Sequence, residues 1–347
     1  QACLSYFAGF VVRPTIASGD DMGSLVLSRL KVKERNAARD VSLNAHLGGV
    51  AGSAVAGGDR KSLMTMGEDG EVKLWDLHNS SLPVRTFDAP RCFNAEACCT
   101  VMDGTIALTG GSGGTVRLYD LKGGPMTPRS PLWTLVCRSD ENNRDSSCVA
   151  AGPLIDYKIW TLSPSELRLW DLRRASAEEA SSKANPALVA TQRPFCGDSS
   201  ERSSSGGHGA LGLNYHAETY ERRRHSVLVS AANGSLVLWD TDRNSGQWEI
   251  EDLPSGTRPR IYTPETQCDL YTTRPVDTTG RKEQVTRVSL PTAKRRAEPR
   301  KNQKSQWKTF QTHSHPITCL ALDATSEWLV SSDVSGVRRG KTAAMMV

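Results

Sequence analysis

Hydrophobic and polar positions alternate with period two in short bursts along the chain, and each clear burst ends on an aromatic residue followed by aspartate. The sharpest is DGEVKLWD at 69–76, where Val72 and Leu74 share one face and Lys73 and Trp75 the other. That period predicts a strand. The pattern returns as GGTVRLYD at 113–120, PSELRLWD at 164–171 and NGSLVLWD at 233–240. A weaker copy is MGSLVLSR at 22–29, and another begins at Ser335-Gly336-Val337 and breaks off. The pairs Asp69-Gly70, Gly113-Gly114 and Asn233-Gly234 are the kind that supply the positive φ of a tight hairpin turn. Upstream of the turns lie SLMTMG (62–67), TIALTGG (105–111), SVLVSAA (226–232) and EWLVSSD (327–333), so each unit reads as a hairpin. A further strand before the hairpin is introduced by histidine: His46 precedes Val50 by four residues, and His313 precedes Ile317 by four.

Trp75-Asp76, Tyr119-Asp120, Trp170-Asp171 and Trp239-Asp240, each after a turn and a Val/Leu alternation, resemble the repeats of the WD-repeat family. The resemblance covers about residues 15–135, 150–172, 210–242 and 305–337. Gly23 to Gly70 spans 47 residues and Gly70 to Gly114 spans 44, close to the period of about 40–45 residues per propeller blade. The resemblance implies an all-β propeller of four-stranded blades, with five or six blades visible here as part of a seven-bladed ring. It also implies a hydrogen-bonded network inside a blade, for which His46, Thr65, Asp69 and Trp75 stand at the matching positions. Other units depart from that pattern: Gly113, Pro164 and Asn233 replace the aspartate. No motif selects a subfamily.

Two intervals exceed a blade. The sequence expectation is a single domain over 1–347 with flexible loop insertions at 173–209, rich in Ser, Gly and Ala, and at 250–308. Between 274 and 308 there are 11 Lys and Arg against 3 acids, a local excess of eight positive charges in a chain of net +5. Lys294, Arg295, Arg296, Arg300 and Lys301 form its densest part and are the candidate partner-binding residues. The broken final repeat leads us to expect further blades beyond one or both ends.

The composition adds limits. Hydrophobic residues make up 38% of 347, enough for a sizeable core. Nine cysteines without a C-x-x-C pair do not spell a disulfide framework or a zinc site, so reduced core thiols and a cytoplasmic or nuclear location are expected. Residues 1–12, QACLSYFAGFVV, lack the basic start and cleavage pattern of a signal peptide and read better as a strand. No apolar run approaches a spanning helix.

Catalytic chemistry is not expected. His46 reads as a buried, hydrogen-bonded histidine; His313 and His315 lie in a loop with no third metal ligand nearby. Gly110-Gly111-Ser112-Gly113-Gly114 lacks the Lys-Ser/Thr of a phosphate-binding loop and falls in register with the hairpin turns. No metal or cofactor is expected. The expected role is a protein–protein scaffold, a subunit of a multiprotein complex contacting other proteins or peptides. The alternative is contact with RNA or an anionic phosphoinositide membrane through 274–308, for example in a trafficking or lipid-kinase complex. On the rim, Lys73, Arg117, Arg168 and the turn-flanking Asp69, together with the loop basics, are the first residues to test.

Overall fold

The computed structural model describes residues 3–7, 15–30, 37–56, 62–77, 82–88, 97–101, 105–110, 115–123, 129–136, 149–155, 157–162, 166–175, 187–192, 210–217, 225–231, 236–240, 245–250, 258–263, 269–276, 282–289, 307–315, 317–322, 328–333 and 336–341. Among these the secondary structure is antiparallel β, apart from one 3-10 turn at Leu172–Arg174. The chain divides into two compact units, Gln1–Gln192 with Asp323–Thr325, and Arg193–Leu322 with Ser326–Val347.

The first unit holds four four-stranded sheets, each a meander in chain order. The first sheet is β1 (Cys3–Phe7), β2 (Thr15–Gly19), β3 (Ser24–Leu30) and β4 (Ala37–Asn44). The second is β5 (Val50–Ala56), β6 (Ser62–Gly67), β7 (Glu71–Asp76) and β8 (Arg85–Asp88). The third is β9 (Ala97–Val101), β10 (Ile106–Gly110), β11 (Thr115–Asp120) and β12 (Trp133–Val136). The fourth is β13 (Val149–Ile155), β14 (Lys158–Leu162), β15 (Leu167–Asp171) and β16 (Leu188–Gln192). The first strands of successive sheets run side by side: β1 beside β5, β5 beside β9, β9 beside β13.

The strand alternation explains how these sheets stack. In β6 and β7, Leu63 pairs with Trp75 and Met64 with Leu74, so the two faces of the sheet are both apolar. Leu63 and Trp75 pack with Ala17, Leu25 and Leu27 of the first sheet. Met64, Met66, Val72, Leu74 and Phe87, on the other face, pack with Ala107 and Tyr119 of the third sheet. Ile106, Leu108, Val116, Leu118 and Leu135 of the third sheet then pack with Ile159 and Trp170 of the fourth. The repeat aromatics of the second, third and fourth sheets are thus inserted toward the sheet before, and Trp75, Tyr119 and Trp170 are buried. Burying one such ring removes 150–250 Å² from water.

The second unit holds β17 (Ala210–Ala217), β18 (His225–Ala231), β19 (Leu236–Asp240) and β20 (Ser245–Ile250) in one sheet. β21 (Arg258–Thr263), β22 (Asp269–Pro275), β23 (Glu283–Ser289) and β24 (Trp307–His313) form a second. β25 (Ile317–Leu322), β26 (Trp328–Asp333) and β27 (Gly336–Lys341) form a three-stranded third. Here too β17 lies beside β21 and β21 beside β25, and Val285 packs with Ile317, Leu320 and Leu329.

Two expectations need correction. The stretch 250–308 is not one loop insertion: it contains β21, β22 and β23. Its strands, such as EQVTRVS, carry β-branched residues in alternation but no Trp-Asp ending, and the charge excess masked them. Within 173–209, β16 occupies Leu188–Gln192, while 176–186 and 193–209 lie outside the described residues. Sheets in the described residues therefore number seven, four in one unit and three in the other, against the five or six blades expected with 173–209 and 250–308 set aside as insertions.

Candidate functional site

The second sheet gathers four side chains into one hydrogen-bonded path. His46 precedes β5, Thr65 is on β6, Asp69 is in the turn that follows, and Trp75 is on β7. Trp75 Nε1 donates to Thr65 Oγ1 at 2.8 Å, and His46 Nε2 lies 2.8 Å from the same oxygen. His46 Nδ1 lies 3.0 and 3.1 Å from the two carboxylate oxygens of Asp69. The path has a direction. An indole only donates and a carboxylate only accepts, so Nδ1–H donates to Asp69 and the Thr65 hydroxyl donates to Nε2. Burial holds the His46 pKa below its ordinary value, against the pull of Asp69, which keeps the ring neutral with its proton on Nδ1.

The turn that supplies Asp69 is built for the purpose. Gly70 has φ +81°, a conformation that side chains with a Cβ adopt rarely. Asp69 also accepts from the backbone N–H of Leu47 at 3.0 Å and of Glu71 at 3.1 Å, so its carboxylate ties the loop before β5 to the hairpin.

His46, Asp69 and Glu71 bring donor atoms within 4.8 Å of one another, a spacing that could suit a metal ion. Both ring nitrogens of His46 are already engaged, however. The Lys73 ammonium lies 2.8 Å from Glu71 and 3.9 Å from Asp69, so a protein cation already offsets part of the charge of these two carboxylates. The cluster reads as a structural ion-pair network.

A second network was not foreseen. His313, placed at the end of β24 rather than in a loop, has Nδ1 3.0 Å from Asp333 and Nε2 2.7 Å from Ser331. The carboxylate comes from a different place. Counted back from the turn glycine, Gly70 or Gly336, Asp333 matches Gly67. A Cβ at Gly67 would collide with the His46 ring; Asp333 uses that same proximity to reach its histidine. By strand pairing, Gly340 stands opposite Leu329 where Trp75 stands opposite Leu63. The spacing from histidine to hydroxyl, 18 residues here and 19 in the second sheet, was the available signal.

Trp170 repeats the indole bond, donating to Thr161 Oγ1 at 2.8 Å. Tyr119 does not: its hydroxyl donates to the Asp88 carbonyl at 3.0 Å, and Thr109 Oγ1 is buried without a partner among the described residues. Two of the aspartates after the aromatics act as turn caps. Asp120 accepts from Lys122 N–H at 2.8 Å and Asp171 from Arg173 N–H at 3.1 Å. Asp171 is buried rather than at the surface. The hydrogen bond from the Arg173 side chain holds its pKa down at about 2. Trp239 and Asp240 lie on β19, with Asp240 opposite Ser226.

The cations expected at the surface have different fates. Lys73 pairs with Glu71 and donates to the Ala45 carbonyl at 2.7 Å. Arg168 is buried, pairs with Glu166 at 2.6 Å and donates to the Val136 carbonyl at 3.3 Å. In both, a cation paired with an acid two residues earlier donates to a carbonyl at the end of the preceding sheet's last strand. Arg117 occupies the same strand position, half-buried, with Thr115 in place of the acid. Lys294, Arg295, Arg296, Arg300 and Lys301 lie outside the described residues.

Gly110-Gly111-Ser112-Gly113-Gly114 also spells the G-x-S-x-G of serine hydrolases. That motif needs a strand-to-helix elbow, whereas here it joins the antiparallel strands β10 and β11.

No curated protein matches the chain. Residues 304–337, spanning all of β24 through the start of β27, match the family described as WD domain, G-beta repeat. Repeats of this kind suggest a protein-interaction scaffold. The chain therefore carries a WD repeat at residues 304–337, in a fold of consecutive antiparallel sheets consistent with that family's propeller.

Proposed function

We propose that this chain is a non-catalytic scaffold, a propeller subunit of a multiprotein complex that binds other proteins through its loops. The observation that carries this reading is the use of both faces of the second and third sheets in packing against their neighbours. With the faces consumed, loops and strand ends are left to present chemistry, and these can vary without disturbing the scaffold. Affinity purification of the full chain from cells, followed by quantitative mass spectrometry, tests it. The expected result is a reproducible set of proteins recovered in near-stoichiometric amounts; recovery of none would overturn the reading. A cytoplasmic location, with access to the nucleus, belongs to the same proposal, and imaging of the tagged chain tests it.

A second reading rests on the eight-charge excess at 274–308. A segment of that kind binds RNA or anionic lipid by releasing counterions. Replacing Lys294, Arg295, Arg296, Arg300 and Lys301 by serine should then abolish salt-dependent binding to homopolymeric RNA or to phosphoinositide vesicles. Unchanged binding would contradict it.

A further inference from the structure

We propose that the loops at one end of the first two sheets form a docking surface for a segment of another protein that carries an apolar side chain flanked by lysine or arginine. This rests on the scaffold reading and gives it a place and a chemistry. Two large apolar side chains stand in water there: Met22, in the β2–β3 turn, is 80% exposed and Leu47, in the β4–β5 loop, is 97% exposed.

Their backbone is held firmly. Gly23 carbonyl accepts from Ala45 N–H at 2.9 Å and from His46 N–H at 3.1 Å, and the Asp20 carbonyl accepts from Val50 N–H at 2.8 Å. Glu68 N–H donates to the Gly49 carbonyl at 2.9 Å, and Gly49 N–H returns a bond to the Glu68 carboxylate at 3.2 Å. The Asp20 carboxylate accepts from Met22 and Ser24 N–H at 3.0 and 2.8 Å. The packing is close enough that a Cβ on Gly49 would lie 3.2 Å from the Asp21 Cα. Three loops thus form one cross-linked platform, and little ordering entropy remains to be lost when a partner covers Met22 and Leu47.

Charge selects the partner. Asp20, Asp21, Glu68, Asp69 and Glu71 belong to this platform, against the single cation Lys73. Lys73 is already committed to Glu71 and the Ala45 carbonyl. In a chain of net +5 this acidity is local. A basic flank on the partner would be drawn to it while an apolar anchor covers the exposed pair.

The test uses fluorescence anisotropy of the full chain with labelled synthetic peptide pools. One pool has a central leucine flanked by lysine and arginine; a second has glutamate flanks, and a third a serine centre. The basic, leucine-centred pool should bind and weaken with salt. Met22→Ser with Leu47→Ser should weaken it about ten-fold, the scale of one lost apolar anchor, and Asp21→Lys should weaken it as well. Both apolar positions are exposed, so unchanged circular-dichroism melting is expected to confirm folding. Equal binding by the double variant, or by the glutamate pool, overturns the proposal. So does a rise in affinity when the five basic residues at 294–301 are changed to serine, since the chain's own segment would then be the occupant. If the affinity-purified partners are recovered undiminished by the double variant, this surface is wrong and the scaffold reading stands. If no partner is recovered at all, both fall.

Discussion

The Tyr119 hydroxyl donates to the carbonyl of Asp88 at 3.0 Å, so the third sheet is fastened to the end of the second by its repeat aromatic. Trp75 and Trp170 instead turn their indole N–H back onto a threonine of their own sheet. A phenol reaches past the threonine and an indole does not, which leaves Thr109 Oγ1 buried and unpaired among the described residues. The Phe87 ring, 5.5 Å from Tyr119 and stacked under Arg85 at 4.4 Å, completes the same junction.

Tyr119→Phe should therefore destabilise the protein by about 1 kcal/mol, the usual net worth of one hydrogen bond. Tyr119→Trp should be close to neutral, because the indole gains Thr109 as it loses Asp88. Urea denaturation of the two variants checks both; a loss in the tryptophan variant larger than in the phenylalanine one would contradict the assignment of Thr109 as a vacant acceptor.

Thr65 serves two partners at once. Thr65→Val keeps its shape and strands both the Trp75 N–H and His46 Nε2, so a loss of about 2–4 kcal/mol is expected from two buried unpaired groups. Thr65→Ser keeps the hydroxyl and should lose less than about 1.5 kcal/mol, the scale of a removed buried methyl group. Chemical denaturation distinguishes them.

His46 sets a pH dependence. Burial lowers its pKa in the fold, so the unfolded chain takes up a proton first as pH falls. The stability that neutral His46 supplies is complete above the unfolded value near 6.5 and is lost as pH drops through the lower folded value. Thermal melts of the parent and of His46→Gln should converge as pH falls from the unfolded value near 6.5 through the lower folded value. Parallel curves across that window would refute the role.

Glu166 and Arg168 are a buried pair. Glu166→Gln leaves a buried guanidinium without its carboxylate and should cost about 3–5 kcal/mol, whereas Glu166→Leu with Arg168→Met should cost far less. Denaturation of the single and double variants gives the comparison.

Sequence was most informative where alternation and signature coincided. The hairpin at 62–76, its turn glycine and the pairing of Leu63 with Trp75 follow from period two and the Asp-Gly turn. The positions of His46, Thr65, Asp69 and Trp75 were legible through the resemblance, although the direction of the bonds needed coordinates. β21, β22 and β23 were hidden because their strands lack the aromatic–aspartate ending and lie beside a basic run. Asp333 was hidden because it replaces a strand glycine, Gly67, rather than a turn aspartate. The burial of Arg168 was equally invisible: on β15 it occupies the polar phase of the alternation, and only the neighbouring sheet removes it from water. The rigidity beneath Met22 and Leu47 comes from contacts between residues 19–30 positions apart in the chain, which no local pattern records.

The central claim is that the second, third and fourth sheets of the first unit each insert the repeat aromatic, Trp75, Tyr119 or Trp170, toward the sheet before it. Hydrogen exchange of the Trp75 and Trp170 indole N–H groups, followed by NMR on the intact chain, tests this most directly. Both should exchange only with opening of the sheets, and Thr65→Val should speed the first while leaving the second protected. Exchange of both at the rate of a free surface indole would contradict the stacked arrangement.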